Sequence, residues 1–222
     1  MDRMPYQGHA NVDALVSTQR LLNIAPQPNG WRTGLPELTG SLVTLRELRA
    51  SDMSALFTAL ANAEVTRFIS PPPTTVEGFG QFIAWTHRQR AAGQYVCFAI
   101  VPRGSDMAVG LFQVRSLETE FGTAEWGFAL ASEFWGTGMF ADGARLVIEF
   151  AFDVIGSHRL EARAAIKNGR GGGALQKLGA VREGVLRKSL LRNGEYLDQC
   201  VWTILEEEWR DSGAAWAAQI IH

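Results

Sequence analysis

The sequence predicts an α/β chain in the α+β sense: one mixed, mostly antiparallel sheet of about seven strands flanked by helices. Three observations predict it. Two pairs of strand-like runs, 95–101 with 108–114 and 181–188 with 196–205, are joined by short turn-rich spacers, as antiparallel hairpins are. Only one strand–helix–strand unit suits a parallel crossover, 124–130 through a helix to 158–166. The glycine-rich turn Trp135-Gly136-Thr137-Gly138 follows the fourth expected strand and not the first, which excludes a doubly wound dinucleotide-binding sheet.

The elements follow in chain order. Residues 1–40 are punctuated by Pro26, Pro28, Gly30, Gly34, Pro36 and Gly40 and are expected to be a partly ordered extension, with a helix only over 12–24. The folded domain is expected to span 41–222. Leu42 to Leu48 alternates as a strand, and Ser51-Asp52 opens an amphipathic helix to about Ala61. Pro71-Pro72-Pro73 breaks the chain, Thr74 or Thr75 caps the next helix, and helical spacing runs from Val76 to about Ala92. The first hairpin turns at Pro102 to Asp106. After the glycine turn, Met139, Phe140, Leu146, Val147, Phe150 and Ala151 form one apolar helical face. A short helix over about 172–178 ends at Gly179, suited to a left-handed cap. The last hairpin turns at Arg192-Asn193-Gly194, and residues 206–219 suit a terminal helix.

Composition removes several function classes. A net charge of −2 gives no broad basic surface, so no nucleic-acid partner is expected. With 46% hydrophobic residues but no apolar run of about 18–20, no membrane span is expected either. The first ten residues lack an apolar signal core, so a cytoplasmic location is expected. Cys97 and Cys200 sit in apolar strand-like runs as structural thiols, and the four histidines have no metal-site spacing, so no metal is expected.

The glycine turn carries the chemistry. A strand feeding a Gly-rich turn and a helix start leaves backbone N–H groups without helical acceptors, and the peptide dipoles there favour an anion. Gly136 and Gly138 let the backbone approach a phosphate without a Cβ between. A plain chain reversal has the same composition, so the flanking residues decide.

Those flanks carry a resemblance. Ala124-Glu125-Trp126-Gly127-Phe128 through Phe134-Trp135-Gly136-Thr137-Gly138, then Phe150-Ala151-Phe152, His158 to Arg163, Asn168, Leu175 to Ala180, Glu183 to Arg187 and Arg192 to Asp198, resemble the GNAT (GCN5-related N-acetyltransferase) acyltransferases. Within them the chain looks like the branch typified by the ribosomal-protein N-acetyltransferases RimJ and RimL, over most of 42–209. The resemblance implies the GNAT fold and acetyl-CoA as cosubstrate. Its pyrophosphate would rest on Trp135, Gly136, Thr137, Gly138, Met139, Phe140 and Ala141, and its pantetheine amides on Phe128, Ala129 and Leu130. Asn168 matches a position that commonly contacts CoA; capping the following segment is its alternative role. Two positions depart from the family pattern: Phe140 stands where a small residue is usual, and either packs inward or narrows the cradle, and Gly171 replaces a common Ser.

Acetyl transfer to an amine needs a neutral nucleophile, a polarised carbonyl and a proton for the thiolate. Glu125 resembles the strand-four glutamate proposed as a water-mediated base; a solvated or ion-paired surface carboxylate is the alternative. A backbone N–H near Phe128 or Ala129 would serve the thioester oxygen. Tyr196 is the candidate proton donor, with half-buried packing as its plainer role. Asp198 would orient an amine, and Trp31, Trp85, Phe68 and Phe112 would wall an acceptor cleft or belong to the core. The acceptor is expected to be a primary amine, on a protein N-terminus or a small molecule. A longer acyl-CoA, a non-catalytic CoA-binding module and a homodimer stay open.

Overall fold

The computed structural model describes residues 30–219. The helix expected over 12–24 lies outside the described residues. Eight strands form one sheet: β1 Leu38–Thr39, β2 Val43–Glu47, β3 Tyr95–Pro102, β4 Gly110–Ser116, β5 Thr123–Leu130, β6 Arg159–Ala165, β7 Val181–Arg192 and β8 Glu195–Leu205. Their spatial order is β1-β2-β3-β4-β5-β6-β8-β7. All neighbours are antiparallel except β5 and β6, the expected crossover pair. The strand beyond the expected seven is β1, whose two residues are too few to show a period.

Six α-helices accompany the sheet: α1 Met53–Leu60, α2 Ala63–Thr66, α3 Val76–Ala91, α4 Met139–Phe150, α5 Gly169–Lys177 and α6 Glu206–Gln219. Thr75 is the cap of α3, its hydroxyl accepting from Gly78 N–H at 3.0 Å, which leaves Thr74 outside the helix. The short α2 was not expected from sequence; Asn62 Oδ1 starts it by accepting from Glu64 N–H at 2.8 Å. Past α4 the helix widens into a π turn, Ala151–Ile155.

Strand alternation sends side chains to two cores, one on each face of the sheet. On β3, Val96, Phe98 and Ile100 face α4, whereas Cys97, Ala99 and Val101 face α1 and α3. The α4 core also takes Phe112, Trp126, Leu160 and Ile204, and the opposite core takes Leu56, Leu60, Phe79 and Ile83. Trp31 and Leu38 are buried with the α4 core, so the described end of the expected extension packs against the body. Cys97 and Cys200 are buried thiols, and burial pushes the Cys97 thiol up. No helix of the described residues is long and apolar enough to cross a membrane, and no cluster of metal-ligating side chains occurs among them.

Candidate active site

Strands β5 and β6 pair only at Thr123↔Arg159, Ala124↔Leu160 and Glu125↔Glu161, then part. Beyond Glu125 the β6-side edge of β5 has no strand partner. Which amides face that edge follows from the β4–β5 ladder, anchored by Leu117 N–H to Thr123 O at 3.0 Å and Ala131 N–H to Val109 O at 2.9 Å. An antiparallel ladder bonds every second residue, so Thr123, Glu125, Gly127 and Ala129 turn their amides to β4. Trp126, Phe128 and Leu130 therefore turn theirs to the open side. Of the two backbone positions expected near a thioester, Phe128 faces the gap and Ala129 faces the ladder.

The glycine turn stands directly beyond the end of β5. A short 3-10 turn, Ser132–Phe134, leads into it, and Trp135 Nε1 donates to Leu130 O at 2.8 Å, folding the indole back over the last residue of the strand. Gly136 and Gly138 have φ of 77° and 90°, the left-handed region where a side chain is strained. The first helical bond of α4 is Asp142 N–H to Gly138 O, at 3.1 Å. Among the described residues, the N–H groups of Gly136, Thr137, Gly138, Phe140 and Ala141 have no acceptor. Met139 N–H has a long one, Thr137 Oγ1 at 3.4 Å. The turn and the first turn of α4 thus present a row of unsatisfied donors.

Phe140 takes the inward alternative. Its ring lies 4.4 Å from Phe128 and 5.9 Å from Phe112, centroid to centroid, against the α4 core. Asp142, which sequence reasoning passed over, reaches across to the turn before β2: its carboxylate accepts from Ser41, Leu42 and Val43 N–H at 3.1, 2.8 and 3.0 Å. An acidic side chain in the first turn of α4 thus spends its acceptors on a neighbouring segment and leaves the helix's own N–H groups unsatisfied.

Asn168 caps α5, with Oδ1 accepting from Gly171 N–H at 2.9 Å. Gly171 is matched to that cap, because a Cβ there would stand 2.6 Å from Asn168 Nδ2. Arg170, at the start of the same helix, lays its guanidinium over the Trp135 ring, 4.4 Å from the centroid.

Glu125 pairs with Arg115, its cross-strand neighbour, at 2.5 Å. Counting opposite residues along that hairpin would have found the partner from sequence. Glu125 shares the α1/α3 face of the sheet with Ala129, whereas Tyr196 shares the α4/α5 face with Trp202 and Ile204, by alternation along β8. The two candidate catalytic side chains therefore lie on opposite faces, and Tyr196 is 55% exposed. Asp198 Oδ1 accepts from Lys188 N–H at 2.8 Å and helps build the β7–β8 hairpin. Trp31 and Phe112 are core, Trp31 edge-on to Phe121 at 5.6 Å. Trp85 is 39% exposed and stacks on Phe82. A partly buried trio that sequence reasoning missed lies on Glu125's face: Tyr95 OH donates to Gln113 Oε1, beside Cys97. Burial raises the Tyr95 phenol well above its ordinary value.

Residues 43–181, more than half of the chain, match the family described as the acetyltransferase (GNAT) domain. The chain belongs to the GNAT acetyltransferases. Among GNAT relatives, the uncharacterized N-acetyltransferase p20 of Bacillus licheniformis is 26% identical over 168 residues, 75% of this chain and 94% of that protein. The fold is shared with Mycobacterium smegmatis RimJ, solved in complex with CoA-disulfide, at a TM-score of 0.69 and 20% identity over 75% of this chain and 83% of that one. It is shared as well with the ribosomal-protein-S5-alanine acetyltransferase of Vibrio fischeri, at 0.70 and 19% over 78% and 98%. The mixed sheet with one parallel pair, splayed beside a glycine turn, is thus a GNAT sheet, and the chain is an acetyltransferase.

Proposed function

We propose that this chain is an acetyl-CoA-dependent N-acetyltransferase that passes acetyl directly to a primary amine, on a protein N-terminus or a small molecule, in the cytoplasm. The catalytic unit is residues 41–222, with 1–40 as an appended segment. One observation supports this above all: the row of unsatisfied N–H groups from Gly136 to Ala141 lies just past a strand whose free edge begins at Trp126. An extended amide chain can pair with such an edge while its phosphates meet the helix start.

The residues fit that donor. Phe140 packs its half-buried ring against Phe128 and Phe112, so the cradle's donors are backbone N–H groups, and Asp142 spends its charge on residues 41–43. When bound, acetyl-CoA supplies an activated carbonyl and a thiol leaving group. Phe128 N–H is the backbone donor proposed to meet the carbonyl oxygen as charge gathers there. Glu125, paired with Arg115, is proposed to receive the amine proton through water from the α1/α3 face. Tyr196 is proposed to return a proton to the thiolate from the other face. Both cysteines are buried, which favours direct transfer over an acyl-cysteine route.

The experiment is calorimetric titration with CoA, together with release of thiol from acetyl-CoA across a panel of amines. Replacing Gly138 with Val puts a side chain at φ 90°, where its Cβ meets Leu42 at 3.1 Å, and should weaken CoA by at least tenfold. Unchanged affinity in a folded G138V protein would reject the cradle.

A further inference from the structure

A long-range contact joins the two walls of the splayed cleft. Trp135 comes from the β5 wall, held over Leu130 by its indole hydrogen bond. Arg170 comes from the β6 wall, on the helix that follows that strand, and its guanidinium carbon lies 4.4 Å from the Trp135 ring centroid. Arg170 is exposed, and its guanidinium makes no hydrogen bond or ion pair with another described residue. Several other arginines are engaged: Arg46 holds Asp52, Arg90 holds Glu47, Arg159 holds Glu183 and Arg192 holds Thr66 O. A guanidinium lying on an indole satisfies its π face only, so its in-plane donors stay open. The three residues after it are glycine, and the first turn of α5 adds no side chain around it.

We propose that Arg170, carried on Trp135, is the cationic wall of the anion site and binds the pyrophosphate of the acyl donor across the mouth of the cleft. This rests on the reading of Gly136 to Ala141 as the phosphate cradle. A helix end offers roughly half a unit of positive charge, less than a pyrophosphate carries, and a full cation beside it supplies the remainder. The guanidinium is a fork suited to paired phosphate oxygens, and the Trp135 face holds it in place before the ligand arrives. Because Arg170 and Trp135 stand on opposite walls, the same contact would draw the two walls together as the donor seats.

The test compares the wild type with Arg170→Ala and Arg170→Lys, titrated by calorimetry with CoA, dephospho-CoA and pantetheine, with melting temperature as the check on folding. Arg170→Ala should weaken CoA and dephospho-CoA alike by about tenfold, the size of one charge-assisted contact, and leave pantetheine within about twofold. The difference should shrink as salt is raised, and Lys should recover part of it. Unchanged CoA affinity overturns the proposal. So does an equal loss for pantetheine, which would make Arg170 a wall only, or a loss for CoA without one for dephospho-CoA, which would move it to the 3′-phosphate. Gly138→Val separates the failures: if it weakens CoA while Arg170→Ala does not, the cradle stands and Arg170 falls. If neither does, the cradle itself falls.

Discussion

At the scale of single residues, the two departures from the family pattern have physical answers. Phe140 is a large side chain whose bulk faces Phe128 and Phe112. Phe140→Ala should therefore cost about 2–4 kcal/mol of stability by calorimetry while CoA affinity changes little, the signature of packing and not of the cradle. Gly171 leaves room for the Asn168 cap, so Gly171→Ser should displace that cap and lower stability by about 1 kcal/mol, read as a drop in melting temperature. Glu125→Gln should lower turnover without changing CoA affinity; an unaltered pH–rate profile would remove Glu125 as the base. The glycine turn, a cap at Thr74 or Thr75 and the buried cysteines were legible in sequence because each shows in the residues immediately around it. The partners of Asp142 and Arg170 were not, since Leu42 lies 100 positions from Asp142 and Trp135 lies 35 from Arg170 (170 − 135) in a chain that must first fold.

At the scale of elements, the β6–β8–β7 side of the sheet is tied by Arg159, which bonds Glu161, Thr203 and Glu183 from the three strands. The Arg159 guanidinium holds the Glu183 carboxyl below its ordinary value. A lowered folded value contributes stability above the unfolded pKa of about 4.3 that is lost as pH falls through the folded one. Glu183→Gln should flatten the acid limb of a melting-temperature profile, at a cost near neutrality of no more than about 1 kcal/mol for so exposed a pair. Glu149 has the opposite sign: burial on α4 raises its carboxyl, helped by Asp153. Its ionised form disfavours the native state above the raised value, and the penalty fades as pH falls, so Glu149→Gln should raise melting temperature at pH 7. Long elements were read from their periods, whereas β1 and α2 were invisible because two and four residues cannot display one. Strand β7 runs past its expected end at Lys188 because the irregularity there, with Lys188 at φ 52°, is absorbed as a bulge pinned by Asp198.

At the scale of the whole molecule, the order of elements revealed the architecture because hairpins and one crossover leave few ways to lay out a single sheet. What order cannot carry is where neighbouring strands stop pairing, and that break frames the candidate site. In the sheet, three residue pairs join the five strands β1 to β5 to the three strands β6, β8 and β7. The sheet is therefore two leaves sewn along a short seam. A pantetheine arm lying along Trp126 to Leu130 would lengthen that seam, acting as thread as well as reagent. Saturating CoA should then slow amide exchange on both leaves together, in Phe128 and Leu130 and in Ala164 and Ala165, and not in the cradle alone. An enzyme working in the proposed way would be most firmly one body while it holds its donor, and would loosen each time the spent thiol departs.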